Sequence, residues 1–133
     1  MTQAEKELLL KDLCARLPYG VKGKTLGSKT CTLSFIGNDG SITADTYHCW
    51  FSSKQFVPYL RPMSSMTEEE CIALSKLTPY ETDAWKYIKT PVPLYIANIE
   101  QFDFFHRHHL DWRGLISKGL AIEVTEENNP YKE

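Results

Sequence analysis

The feature that most limits the possible folds is a pair of alternating segments joined by a turn sequence. Cys31, Leu33 and Phe35 occupy alternate positions, and a second run has the same two-residue period. This second run passes through Ile42, Ala44, Thr46, His48 and Trp50. The triplet Asn-Asp-Gly at 38–40 lies between them, and its residues tolerate the positive φ angles of a tight reversal. The segment therefore predicts an antiparallel β-hairpin.

Two further extended segments are expected to join this hairpin. Residues 55–60 form a third extended run, which contains Pro58. Because proline has no N–H to donate to a β-ladder, we expect this run at an edge of the sheet, or ending there. Leu120, Ile122 and Val124 alternate near the end of the chain and predict a closing strand.

The N-terminal segment predicts a helix. Thr2 and Glu5 have the spacing of a capping box, in which the two side chains satisfy backbone N–H groups of the first turn. Apolar residues then recur at helical intervals, at Leu9, Leu10, Leu13, Cys14 and Leu17. Pro18 and Gly20 end the pattern. Because the apolar stripe covers one side, we expect this helix to pack on the sheet.

Helical patterns also follow the strands. Thr67 and Glu70 repeat the capping-box spacing and predict a helix through Leu77, and a short helical turn is expected around residues 84–88. Asp111 is expected to cap a short helix that ends at Gly119. A helix capped by Asn98 is expected to present one face formed by Ile99, Phe102, Phe105 and His109.

These elements predict an α+β fold. We expect an N-terminal helix, an antiparallel hairpin-based sheet, and C-terminal helices that return to a final strand. The chain has 133 residues, the usual size of one domain. Residues 1–124 are therefore predicted to form a single domain, and residues 125–133 a polar C-terminal tail.

The charge balance argues against two classes of partner. A net charge of -2, with no dense basic cluster, makes binding to nucleic acid or to an anionic membrane surface unfavourable. The N-terminus lacks the apolar core of a signal peptide, so a cytoplasmic location is expected. The cysteines, at positions 14, 31, 49 and 71, are then expected to be reduced thiols.

A cluster of histidines and aspartates is the strongest candidate for metal chemistry, because imidazole and carboxylate groups bind zinc and iron. On a helix His106 and His109 share a face, whereas His108 points elsewhere. The alternative without a metal is a partly exposed C-terminal helix end, where histidine side chains interact favourably with the helix dipole. An alternative function is therefore a metal-dependent or histidine-assisted hydrolase. Its candidate residues are His106, His109, Asp103 and Asp111.

Aromatic residues beside arginines favour a different function. Such a composition is typical of protein interface hot spots. The candidate binding residues are Trp50, Tyr59, Arg61, Trp112 and Arg113. If Trp50 and Phe51 lie in one strand, one of them leaves the core face, where either a partner or a second layer of this chain covers it. The leading interpretation is a non-enzymatic module that binds another protein and needs no cofactor.

Four segments carry a resemblance to a known family. They are residues 11–21 (KDLCARLPYGV), 59–67 (YLRPMSSMT), 109–116 (HLDWRGLI) and 118–121 (KGLA). In this order they resemble an uncharacterised family of small proteins from Bacteroides-type bacteria and their prophages or mobile elements. The resemblance implies an intracellular accessory protein and assigns no catalytic residue. Arg16, Arg61 and Arg113 in these segments are candidates to converge as an anion or partner site.

Overall fold

A computed structural model describes residues 2–24, 30–37, 41–44, 47–52, 56–77 and 99–132. For residues 44, 47–52 and 75 it describes the backbone alone. The predicted turn at 38–40, the helical turn expected around 84–88 and the capping residue Asn98 lie outside the described residues.

The chain is an α+β fold, as predicted, and its described residues form three helices and six strands. The helices are α1 (Gln3–Arg16), α2 (Glu68–Ser75) and α3 (Ile99–Arg107). Short 3₁₀ turns span Leu17–Tyr19 and Met63–Ser65. The strands are β1 (Lys22–Lys24), β2 (Thr30–Ile36), β3 (Ser41–Ala44), β4 (Tyr47–Ser52), β5 (Val57–Leu60) and β6 (Ile122–Glu123).

Both predicted capping boxes are confirmed. Thr2 Oγ1 accepts a hydrogen bond from the Glu5 N–H at 3.1 Å, and Glu5 Oε1 accepts from the Thr2 N–H at 2.9 Å. Thr67 and Glu70 make the same reciprocal pair at the start of α2. Because each pair satisfies N–H groups that have no partner within the helix, both helices begin where the sequence predicts.

The six described strands form one sheet in the order β4-β3-β2-β1-β5-β6. The predicted hairpin is confirmed, since β2 and β3 pair antiparallel and the Gly37 N–H donates to the Ser41 carbonyl at 2.8 Å. The closing strand is also confirmed. It pairs parallel with β5, so the sheet is mixed.

Two strand predictions were wrong. The run from Ile42 to Trp50 is not one strand: β3 and β4 are separate and pair antiparallel, with Ala44 opposite Tyr47. Alternation alone does not distinguish one long strand from two short strands that pair with each other. The run containing Pro58 is not at an edge, because β5 lies between β1 and β6. The short β6 pairs only with Tyr59 and Leu60, so the missing N–H of Pro58 leaves that ladder intact.

A register shift turns Phe35 outward. The pairing of β2 with β3 is irregular between Leu33 and Phe35. Leu33 is buried, whereas Phe35 is 49% exposed and Ile36 packs against the core instead. A bulge reverses which residues face inward beyond it, so the predicted alternation holds only for the first half of β2.

Two apolar clusters hold the described part together. The first lies where α1 packs on the sheet and includes Leu9, Leu13, Val21, Cys31, Leu33, Ile42, Phe56, Leu60, Leu115 and Leu120. The second joins α2, α3 and the segments beside them through Met63, Met66, Cys71, Leu74, Phe104, Phe105, Leu110 and Trp112. Cys14, predicted on the apolar stripe, is exposed, whereas Cys31 and Cys71 are buried.

The buried face of α3 differs from the predicted one. Ile99 is 79% exposed, while Phe104, Phe105 and His106 are buried. His109 lies beyond the helix with φ 60°. The Leu110 N–H donates to the Phe105 carbonyl and the His109 N–H to the His106 carbonyl, which is the hydrogen-bond pattern of a Schellman motif. His109 therefore takes the left-handed position that ends the helix.

The short helix expected from Asp111 to Gly119 is replaced by a succession of turns. Both Asp111 carboxylate oxygens do accept backbone N–H bonds, from Leu115 at 2.8 Å and Ile116 at 2.9 Å. Gly114 has φ 78°, a left-handed conformation that a right-handed helix does not contain. Asp111 thus caps a turn rather than a helix.

Candidate functional site

A buried ion pair links α1 to the segment that follows α3. Arg16 Nε donates to Asp12 Oδ2 at 2.7 Å, and Arg16 Nη2 donates to the Leu110 carbonyl at 2.7 Å. Both charged side chains are fully buried. Their burial was not predicted from the sequence, which singled out Arg16 alone, because charged residues of a surface helix are ordinarily exposed. The signal available was their spacing of four, which brings an acid and a base together on a helix.

Trp112 and Arg113, both candidate binding residues, are used inside the protein. Arg113 Nε donates to Asp12 Oδ1 at 3.1 Å, and its guanidinium lies 4.1 Å from the centre of the Trp112 ring. Trp112 Nε1 donates to His106 Nε2 at 2.9 Å. These contacts extend the buried network from α1 to α3.

Arg61 is held rigidly by its neighbours. Its guanidinium makes a two-pronged contact with Glu70, at 2.8 and 2.7 Å. The other N–H groups reach Ser65 Oγ, the Ser65 carbonyl and the His108 carbonyl. Burial opposes ionisation of Glu70, but hydrogen bonds from Arg61 and Thr67 outweigh it and lower the Glu70 pKa to about 2. The pair is therefore charged at neutral pH.

An open polar cleft lies beside this pair. It has a volume of about 400 Å³, and we call it the polar cleft. The residues that line it are Arg61, Thr67, Glu70, Arg107, His108, His109, Asn129 and Tyr131. They come from the segment that leads into α2, from the C-terminal end of α3 and from the C-terminal tail, three parts that are far apart in the chain.

The C-terminal tail forms one wall of the cleft because Tyr131 fixes it to the sheet. The Tyr131 hydroxyl accepts from the Lys22 N–H at 3.0 Å and donates to the Tyr59 carbonyl at 2.7 Å. Its ring stacks on His109 with centres 3.7 Å apart. Burial is the main cause of the raised pKa of this phenol. The polar tail is thus packed against β1 and β5.

The three histidines of this region favour their neutral forms. Burial, followed by the positive charge of Arg16, lowers the pKa of His106 and of His109 to about 4. Burial also lowers the pKa of His108, against the attraction of Glu70. At neutral pH the charged groups that line the polar cleft are therefore Arg61, Arg107 and Glu70.

A pH dependence of stability follows from these histidines. The folded protein keeps His106 and His109 neutral down to about pH 4, whereas an unfolded chain takes up protons near the ordinary value of 6.5. The unfolded state thus binds more protons between these pH values, and we expect the free energy of unfolding to fall as pH drops from 6.5 to 4. Urea unfolding at several pH values, with an NMR titration of both rings, measures this. Titration of either folded-state ring near pH 6.5 would contradict the prediction.

The candidate binding residues do not form one surface. Tyr59 and Trp112 are buried, Arg113 is paired with Asp12, and Arg61 lines the polar cleft. Trp50 pairs with Thr43 in the sheet, but its side chain lies outside the described residues. Arg16 and Arg113 share the carboxylate of Asp12, whereas Arg61 pairs with Glu70, so each of the three arginines already has a carboxylate partner.

The candidate metal ligands have other contacts. His106 accepts a hydrogen bond from Trp112, both Asp111 oxygens accept backbone N–H groups, and His109 stacks on Tyr131. Asp103 is half-buried on α3. Within the described ranges, no group of three or more His, Cys, Asp or Glu side chains is placed to hold a metal ion.

Comparison with known proteins finds no match, whether among family models, curated proteins or solved structures. In the part of the chain that the structure describes, no helix is both long enough and apolar enough to cross a membrane.

Proposed function

We propose that this chain is a non-enzymatic module that binds another protein in the cytosol, and that the polar cleft is where the partner docks. The observation that carries the proposal is the cleft itself, which collects polar side chains from three distant segments. The accessory role that the family resemblance implies, including an origin on a prophage or mobile element, is part of the same proposal.

The rigidity of the cleft supports a binding role. Arg61 is held by Glu70 and Ser65, and Tyr131 is held by the backbones of β1 and β5. Residues already fixed in their bound geometry lose little conformational entropy when a partner arrives, so preformed sites bind more tightly. The walls formed by Arg61 and by Tyr131 are therefore already fixed before a partner binds.

The chemistry of the lining residues favours binding over catalysis. A nucleophilic mechanism needs a hydroxyl or thiol beside a base. Thr67 and Tyr131 are the hydroxyl residues among the described residues that line the cleft. The Thr67 hydroxyl accepts the Glu70 N–H as the cap of α2, and the Tyr131 hydroxyl is hydrogen-bonded to the backbones of Lys22 and Tyr59. Glu70 is engaged by Arg61, and the ring of His109 is stacked on Tyr131. These groups act as structural supports.

Site-specific photo-crosslinking in living cells tests this proposal. A benzophenone amino acid is placed at Glu68, the first residue of α2 beside Thr67, or at Lys132, beside Tyr131; both positions are exposed. The control is Lys118, also exposed, which lies near Glu5 in the first turn of α1. Lys118 is not among the described residues that line the cleft, so it serves as the control.

We expect one adduct of the same mass increment from positions 68 and 132, and none from position 118. Such an adduct identifies a partner seated on the cleft. No adduct at 68 or 132, or the same adduct at all three positions, would overturn the proposal.

A further inference from the structure

The hydrogen-bonding groups of the polar cleft are unequally divided between donors and acceptors. Arg107 carries five N–H groups, and no described residue accepts a hydrogen bond from them. Asn129 uses its carbonyl oxygen to accept from the Tyr131 N–H, which leaves its amide NH₂ as a donor. Thr67 Oγ1 accepts from Glu70 and keeps its own hydrogen. The free capacity of the cleft is therefore mostly donor.

The free acceptor capacity of the cleft is smaller, although the ring of His109 has a buried nitrogen, Nδ1, without a hydrogen-bond partner among the described residues. The Glu70 oxygens receive Arg61 and the Thr67 N–H. His108 Nδ1 lies 3.3 Å from Glu70 Oε2. A neutral imidazole that donates through this nitrogen keeps Nε2 as an acceptor. A ligand that satisfies the cleft must thus supply more acceptors than donors.

The charge of the cleft also favours a ligand that supplies hydrogen-bond acceptors. Arg61 and Glu70 form an ion pair and cancel, while the histidines are neutral at pH 7. Arg107 is exposed, and no described carboxylate lies within ion-pair distance of it; its contact is the Tyr19 ring, 5.9 Å away. The lining residues therefore carry one uncompensated positive charge.

We propose that the cleft binds an acidic segment of the partner protein, with a carboxylate of that segment received by Arg107 and by the Asn129 amide. This inference rests on the proposed function and names the chemistry of its partner. Guanidinium and carboxylate groups match in planar, two-pronged geometry, and such charge-assisted hydrogen bonds are stronger than neutral ones. Arg107 is the specificity-determining residue.

Peptide binding to the purified full-length protein tests the inference. The probe is a fluorescein-labelled peptide that alternates Asp and Glu with Gly and Ser, compared with a peptide in which every Asp and Glu becomes Asn or Gln. We expect the acidic peptide to bind and the amide peptide to bind at least about tenfold more weakly, with an affinity that falls as salt is added.

Three variants assign the effect to Arg107. Arg107→Gln is expected to weaken binding of the acidic peptide about tenfold, the loss of one charge-assisted contact. Arg107→Lys keeps the charge and is expected to recover part of that loss. Lys118→Gln removes the same charge at a residue that does not line the cleft and is expected to leave binding unchanged. Urea midpoints verify that each variant folds.

The outcomes separate this inference from the proposed function. Equal binding of the two peptides, or equal weakening by Arg107→Gln and Lys118→Gln, overturns the acidic-segment inference, while crosslinking at 68 and 132 still reports whether a partner docks. If millimolar inorganic phosphate displaces the peptide and itself binds through Arg107, the cleft is a phosphate site and the inference is again overturned. Crosslinking that fails beside Arg107-dependent peptide binding overturns the proposed function alone.

Discussion

Replacing Asp12 with alanine is expected to lower the free energy of unfolding by about 3–5 kcal/mol. Asp12 accepts hydrogen bonds from Arg16 and Arg113 and is fully buried with Arg16. Without this carboxylate, the Arg16 guanidinium stays in the interior with the Leu110 carbonyl as its remaining partner among the described residues. A buried charge that has lost its counterion is among the most destabilising changes in a protein.

Urea unfolding followed by far-UV circular dichroism measures this effect. Glu7→Ala is the matched control, because it removes an exposed carboxylate from the same helix and is expected to change stability by about 0.5 kcal/mol or less. The double change Asp12→Ala with Arg16→Met removes both charges and is expected to be less destabilising than Asp12→Ala alone. Similar losses for Asp12→Ala and Glu7→Ala would show that the ion pair is solvated.

Replacing Phe105 with alanine is expected to lower the free energy of unfolding by about 3–5 kcal/mol. Phe105 is fully buried in the second apolar cluster, where its ring meets Phe102 edge-on at 6.2 Å between centres. Deleting the ring removes apolar contacts and leaves a cavity that the surrounding side chains fill only in part.

Phe35→Ala is the matched control for this prediction. It makes the same chemical change in β2, where the ring is 49% exposed, and we expect a loss of about 1 kcal/mol. Urea unfolding of both variants compares them directly. If Phe35→Ala proved as damaging as Phe105→Ala, the bulge in β2 would be wrongly placed and Phe35 would belong to the core, as simple alternation predicts.

Much of the local structure could be predicted from the sequence because it depends on residues a few positions apart. The capping boxes at Thr2 and Thr67 need only a glutamate three residues later. The β2–β3 hairpin follows from alternation on both sides of a turn sequence. The exposed Ile99 and the left-handed His109 show where this reasoning fails on α3, since a helical period does not reveal which face the rest of the chain covers.

The candidate site was only partly predictable. Arg61 and His109 were singled out and do line the polar cleft, but nothing in the sequence marked Thr67, Arg107 or Asn129 as site residues. Their proximity depends on how α2, α3 and the tail pack, which no short segment of sequence contains. Tyr59 and Trp112, chosen as aromatic binding residues, are buried inside the protein. Burying an aromatic side chain removes a large apolar area from water.

The sequence by itself determined the α+β class, the helix starts and the hairpin, because those depend on hydrogen bonds and periodicity within short segments. Only the tertiary structure decided that Asp12 and Arg16 are buried, since the Leu110 carbonyl that receives Arg16 lies 94 positions away. The same is true of Tyr131, whose hydroxyl reaches Lys22 across 109 positions and makes the tail a wall of the cleft. Burial and convergence are properties of the packed chain, because they depend on which distant segments meet.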